Sequence, residues 1–350
     1  MTAIVTQGNA GGLHLPDASV DLVVTSPPYW SLRSYQDGGE HYAGQIGAES
    51  TPAEYVDALI ACTAEWMRVL KPSGSIFINL GDKYSTGNSG QSNMAKLGER
   101  YQGGGHTQAK AKTRSGRVEG MPSKSLIGLP WRYAIRCMDE LGLILRSEIV
   151  WAKPNGLPES VTDRVRRSHE QVFHFTKAPR YYSAVDAIRE PMAAATSARY
   201  AAGFKPSKRT VAEDGVSDRG LWNGKAAQPN PLGKLPGSVW SIASSPLKVP
   251  EELGIDHFAA YPPELVRRII LGWSPNGGTV LDPFGGTGTT ALVASVHSRV
   301  GISVDLSADY CRLAQWRTQD PKQRAKAAHL PIKPAPPAQT NGQQLLLSEE

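Results

Sequence analysis

The run Val20-Asp21-Leu22-Val23-Val24, followed at once by Thr25-Ser26-Pro27-Pro28-Tyr29-Trp30, constrains this chain more than any other stretch. Its apolar residues read as a short buried strand, and two consecutive prolines forbid the strand from continuing. A rigid turn therefore presents a hydroxyl, carbonyls without neighbouring N–H donors and two aromatic rings at the carboxyl end of a strand. In open α/β sheets that edge is where ligands bind. Taken alone, Ser-Pro-Pro-Tyr also suits a structural proline turn or a polyproline-type recognition peptide. A second motif, Asp282-Pro283-Phe284-Gly285-Gly286-Thr287-Gly288-Thr289-Thr290, tips the reading towards a site.

That second motif sits in a unit that reads strand (279–281), Gly-rich turn, helix to about 297, strand (299–304), acid (Asp305). Gly286-x-Gly288-x-x-Ala291 fits a dinucleotide fingerprint, with Asp305 about 20 residues on, where a ribose-binding carboxylate belongs. A nucleotide-dependent oxidoreductase is therefore one rival, although such a fingerprint is weak by itself and a structural glycine turn gives the same pattern. A triphosphate-binding loop is disfavoured, because Thr289 stands where that motif needs lysine.

Between the motifs the pattern is that of a parallel α/β sheet. Thr51, Pro52 and Glu54 form a capping box that opens a helix whose apolar face runs from Tyr55 to Leu70. Lys71-Pro72-Ser73-Gly74 reads as its end, and Ser75 to Leu80 as the next buried strand. Further elements follow: a helix from Pro130 to Leu141, a strand from Leu143 to Val150 and another from Gln171 to Phe175. Later come a helix from Pro262 or Pro263 to Gly272 and a last helix, capped by Ser307, through Arg317.

Two stretches break the pattern. Residues 83–120 are polar and basic and read as a flexible insertion, solvated or ordered on a nucleic-acid backbone. Residues 177–250 lose periodicity while Lys205, Lys208, Arg209, Arg219, Lys225 and Lys234 interleave with Tyr200, Phe204, Trp222 and Trp240. Basic side chains neutralise phosphates and aromatic ones wedge against bases, so this stretch is the candidate nucleic-acid-reading lobe. The implied organisation is a catalytic half over 1–176, a target-recognition region over 177–250, a cofactor half over 251–319 and a disordered tail over 320–350. The net charge of +6 agrees with a polyanionic partner without requiring one. Three cysteines without paired spacing point to neither a disulfide framework nor a zinc site, and the histidines form no metal-ligand pattern. With no membrane-length apolar run and no signal-peptide pattern, a cytoplasmic protein is expected.

Together, Thr-Ser-Pro-Pro-Tyr-Trp and Asp-Pro-Phe-Gly-Gly-Thr-Gly-Thr-Thr carry more than either alone. The chain resembles the amino-methylating DNA methyltransferases that use S-adenosylmethionine, in the permuted arrangement usually called the β class. The resemblance spans most of residues 4–317 and includes Glu65 to Pro72, Ile149 to Pro154, Pro158 to Val161 and His257 to Leu265. Thr287 departs from the usual serine, and Asn9 stands where a Gly-Asp pair is common. The resemblance implies a Rossmann-like, doubly wound, mostly parallel sheet with an inserted recognition lobe. It implies methyl transfer to the exocyclic amine of a base flipped from duplex DNA, with no metal. A cognate restriction endonuclease is left open as a second partner.

By the same resemblance, Ser26, Pro27, Pro28 and Tyr29 are catalytic. Ser26 Oγ and the Pro27 carbonyl would accept from the amine, and the Tyr29 ring would stack on the flipped base. Thr25, Asp282, Pro283, Phe284, Gly286, Gly288, Thr289 and Asp305 would hold the cofactor, and Lys205, Lys208, Arg209, Arg219 and Lys225 the DNA. Serine before Pro-Pro-Tyr favours N4 of cytosine, with N6 of adenine as the alternative and a catalytically inactive DNA-binding protein as the rival from another class.

Overall fold

A computed structural model describes residues 2–31, 36–37, 40–41, 45–85, 118–201, 230–255 and 260–328. Eight strands form the main sheet: β1 (Ala3–Gln7), β2 (Val20–Thr25), β3 (Leu70–Leu80), β4 (Ile144–Ala152), β5 (His169–Thr176), β6 (Val239–Ser241), β7 (Thr279–Asp282) and β8 (Val300–Asp305). Their order across the sheet is β1-β8-β7-β2-β3-β5-β4-β6. All neighbours are parallel except that β5 runs antiparallel to both β3 and β4.

Burial alternates along the central strands, as the two-residue period of a strand requires. On β3, Ile76 and Ile78 face one core while Phe77 faces the other. The first core packs against α1 (Pro52–Val69) and α2 (Leu129–Asp139). The second packs against α4 (Pro263–Trp273) and α5 (Thr289–Val296), which follow the short α3 (Ala194–Ala201). Helices on both faces of a mostly parallel sheet make the expected doubly wound fold. The capping box of α1 is present as read, with Thr51 Oγ1 accepting from the Glu54 N–H and Glu54 accepting from the Thr51 N–H.

Three readings need correction. The helix stops sooner than read: α1 ends at Val69 and β3 starts at Leu70, but residues 71–74 bulge out of the pairing with β2, which holds Leu70 to Val20 and resumes at Ser75 with Leu22. The stretch from Pro321 is not all tail. After α6 (Ala308–Gln319), α7 (Pro321–Ala328) forms because Asp320 caps it through the Gln323 N–H at 2.7 Å and its residues are good helix formers. Ala327 is buried, and Arg324 reaches back to Ser295 Oγ and the Thr318 carbonyl. Finally, Trp240 is buried on β6, at the edge of the main sheet, and its ring carries Arg268 at 5.5 Å, so it is not free to stack on a base.

Residues 86–117 of the insertion and residues 202–229, with Lys205, Lys208, Arg209, Arg219 and Lys225, lie outside the described residues. Lys234 is described and pairs with Glu190. No helix among the described residues is long and apolar enough to cross a membrane.

Candidate active site

Strands β2 and β7 are neighbours, and they are the point where the order of strands reverses: β8 and β1 extend to one side, β3 to the other. At such a switch point the loops diverge and leave a crevice at the carboxyl edge. A cavity of about 360 Å³ occupies it. The turn after β2 supplies Ser26, Pro27, Pro28 and Tyr29, and the turn after β7 supplies Pro283, Phe284, Gly285, Gly286, Thr287 and Thr289. Asp305 closes β8, and because Gln7 of β1 pairs with it, Gly8, Asn9 and Ala10 stand alongside.

The antiparallel strand adds something a purely parallel sheet would not. Because β5 runs backwards, its amino end reaches the same edge and brings Glu170 into the wall. Glu170 Oε2 accepts from Tyr29 Oη at 2.7 Å and from Asn79 Nδ2 at 2.8 Å, while Oε1 accepts from Lys153 Nζ. Asn79 Nδ2 also lies 2.9 Å from Tyr29 Oη and 3.4 Å from Ser26 Oγ, and its own Oδ1 is buried without a partner. Gly81 is required here: a Cβ would stand 2.5 Å from the Tyr29 ring. The Tyr29 hydroxyl is pushed well above its ordinary pKa by burial and by the Glu170 charge, so it stays a donor. The Pro28 carbonyl is taken by Tyr55 Oη at 2.9 Å, whereas among the described residues no group donates to the Pro27 carbonyl.

Of the residues expected to hold a cofactor, Pro283, Phe284, Gly286, Thr289 and Asp305 line the cavity, but Thr25, Asp282 and Gly288 stand behind its wall. Asp282 is 1% exposed and its carboxylate is occupied from within. Oδ1 accepts from Thr25 Oγ1 at 2.7 Å and from the Phe284 N–H at 3.2 Å, and Oδ2 from Tyr261 Oη at 2.5 Å and Thr290 Oγ1 at 2.8 Å. Burial pushes this carboxyl above the usual range despite those four bonds, and burial together with the Asp282 charge pushes Tyr261 well up. Asp282 therefore ties β2, β7, α5 and Tyr261 together, and shapes the turn without facing the cavity. Gly288 serves packing: its Cβ would lie 2.8 Å from that of Ala314 on α6.

Asp305, by contrast, lies in the wall. Its Oδ2 accepts from the Gly286 N–H at 2.8 Å and its Oδ1 from the Ser307 N–H at 2.9 Å. Beneath the turn, Arg317 is buried and donates to Thr287 Oγ1 at 2.6 Å and Thr289 Oγ1 at 2.7 Å; burial lowers its pKa to about 10.

Asn79, Lys153, Glu170, Tyr261 and Arg317 were not singled out from the sequence. Asn79 did carry a signal, as a polar residue inside the apolar run Ile76 to Leu80, and Lys153 and Tyr261 fall in runs that carry the family resemblance. Glu170 and Arg317 carried none.

A switch-point cavity with the Asp305 carboxylate in one wall and a Ser-Pro-Pro-Tyr turn in another defines an open α/β protein with its ligand crevice at the carboxyl edge of the sheet. The particular family follows from comparison. A family model described as DNA methylase matches residues 20–316, and the chain belongs to that family. It is 37% identical over 307 residues to type II methyltransferase M.XycI of Xanthomonas campestris pv. cyanopsidis, covering 87% of this chain and 83% of that one. It is 34% identical over 300 residues to type II methyltransferase M.SmaI of Serratia marcescens, covering 85% and 83%. Among solved structures, the PvuII DNA methyltransferase (cytosine-N4-specific) shares the fold with a TM-score of 0.59 at 20% identity, covering 94% of each chain.

Proposed function

We propose that this chain methylates N4 of cytosine at a specific site in duplex DNA, with S-adenosylmethionine as the methyl donor. One observation carries the reading: Ser26, Pro27 and Asp305 line a single cavity. The chemistry of the wall fits such a cofactor. Asp305 is held as an acceptor by two backbone N–H groups, which suits ribose hydroxyls. Phe284, Leu306 and Tyr310 would offer apolar surface to a purine, and Gly8, Asn9 and Pro283, elsewhere in the same wall, would hold the amino-acid end. Bound there, that cofactor would supply an electrophilic methyl group on a sulfonium sulfur, so that one N–C bond would form as one S–C bond broke and the amine would release a proton to water.

An exocyclic amine is a poor nucleophile because its lone pair is delocalised into the ring. Acceptors aimed at its hydrogens favour the form in which nitrogen becomes positive. Ser26 Oγ and the Pro27 carbonyl, to which no group among the described residues donates, are those acceptors, fixed by a proline pair that leaves the turn little freedom. Glu170 is a positioning residue: through Tyr29 and Asn79 it orients the turn. No covalent enzyme intermediate is needed. A serine hydroxyl is shorter than Asp or Asn and supports the cytosine assignment; the PvuII enzyme of the same fold is itself cytosine-N4-specific. In this reading residues 177–250 recognise the target, a restriction endonuclease is the companion activity, and the protein works in the cytoplasm.

Digesting methylated DNA to nucleosides and identifying them by mass tests the target. N4-methylcytosine is expected; N6-methyladenine overturns the cytosine assignment, and 5-methylcytosine the amine chemistry. Ser26→Ala should lower turnover by about 10²- to 10³-fold with cofactor affinity kept.

A further inference from the structure

The loop 154–168 joins the end of β4 to the start of β5. The residues at its two feet, Lys153 and Glu170, both stand in the cavity wall and pair with each other. The loop therefore springs from that wall of the cavity, although none of its own residues lines it. It has no regular structure, yet side chains hold it firmly. Asn155 Nδ2 donates to the Ser244 carbonyl at 3.0 Å, and Asn155 Oδ1 accepts from the Ser244 N–H at 2.8 Å. Arg166 Nη1 donates to the Gly156 carbonyl at 2.8 Å, Arg164 pairs with Glu159 at 2.8 Å and lies 4.0 Å over the Tyr84 ring, and Lys124 pairs with Asp163 at 2.7 Å.

On this fixed frame Leu157 and Val165 are 80% and 87% exposed, more than any other large hydrophobic side chain among the described residues. A single exposed apolar residue needs no explanation. Two on one braced loop whose ends stand in the cavity wall, with Arg166 Nη1 3.3 Å from the Leu157 carbonyl, point to a use. The charge around them selects the occupant: the loop carries Arg164, Arg166 and Arg167 against Glu159 and Asp163, and Arg166 is itself exposed.

We propose that Leu157 and Val165 form an apolar wedge that enters the base stack of duplex DNA where the target base leaves it, with Arg166 against the neighbouring phosphates. The wedge rests on the methyl-transfer reading above. Extruding a base exposes the faces of its stacking neighbours, and an apolar side chain in the vacated space offsets that loss. Bracing the loop beforehand spares the ordering cost at the moment of binding.

The test uses the full chain and a duplex carrying its own site, identified by sequencing plasmid DNA methylated by the wild type. The double variant L157A/V165A removes only exposed atoms. It should transfer labelled methyl groups to the fully paired duplex at least about tenfold more slowly than the wild type. On a duplex whose target base faces an abasic position it should come within about threefold, because that base is already unpaired. Calorimetry should show unchanged S-adenosylmethionine affinity. Equal losses on both duplexes, or no loss on either, overturn the wedge, as does loss of self-association by sedimentation in place of a loss on paired DNA. A wild type that binds S-adenosylmethionine but labels no DNA overturns the methyl-transfer reading itself, and the wedge with it.

Discussion

His174 is 2% exposed at the centre of β5, and burial, reinforced by the positive charge of Arg146, lowers its pKa from 6.5 to about 3. Its ring stacks on Phe77 at 4.2 Å, meets Trp273 and Tyr181 edge-on, and shares a 3.1 Å hydrogen bond with Ser75 Oγ. The folded state therefore holds the imidazole neutral over a range in which the unfolded chain protonates it. Stability from this source is complete above pH 6.5 and is lost as pH falls through the folded value near 3. Each pH unit in that window costs up to about 1.4 kcal/mol, so roughly 2 kcal/mol is gone by pH 5 and at most about 5 kcal/mol at full protonation. Against a total stability of about 5–15 kcal/mol, that is a large part of the acid sensitivity. His174→Phe removes the titration, keeps the stacked ring and leaves the buried Ser75 hydroxyl unpaired, at a cost of about 1–3 kcal/mol. Urea unfolding at a series of pH values should show the variant less stable at pH 7 and the difference shrinking by about 2 kcal/mol at pH 5. Parallel stability curves for the two proteins over that range would refute a buried neutral imidazole.

Glu170→Gln should keep cofactor affinity but lower kcat by about ten- to a hundredfold, since charge-assisted bonds of about 1.5–3 kcal/mol position the Tyr29 and Asn79 side chains; a loss of cofactor affinity with kcat unchanged would remove the positioning role. Asp282→Ala and Asp305→Ala should separate. The first strands four donors and should lower unfolding free energy by about 3 kcal/mol or more. The second should weaken S-adenosylmethionine binding by calorimetry while denaturant unfolding shows the fold intact. Similar stability losses in both variants would contradict the division between wall and support.

What the sequence by itself determined is local. Two prolines end a strand wherever they stand, a capping box starts α1 in any context, and the turn 283–289 needs its glycines to be made at all. The two motifs and the order of elements therefore sufficed for the fold class; Ser26 and Asp305 line one cavity, whereas Asp282, at the strand end expected to meet Ser26, stands behind its wall. Tertiary structure alone decided which residues face that cavity. Thr25 and Asp282 end adjacent strands, and no spacing rule says that their side chains bond to each other behind the wall. Glu170 reaches the site only because β5 is antiparallel, a direction that the apolar run Gln171 to Phe175 does not encode. Arg317 meets the glycine turn 28 residues away from Thr289 along the chain, through the packing of α6. Local chemistry sets turns and caps within a few residues; the partners of a buried polar group are set by which strands become neighbours, and that is a property of the whole sheet.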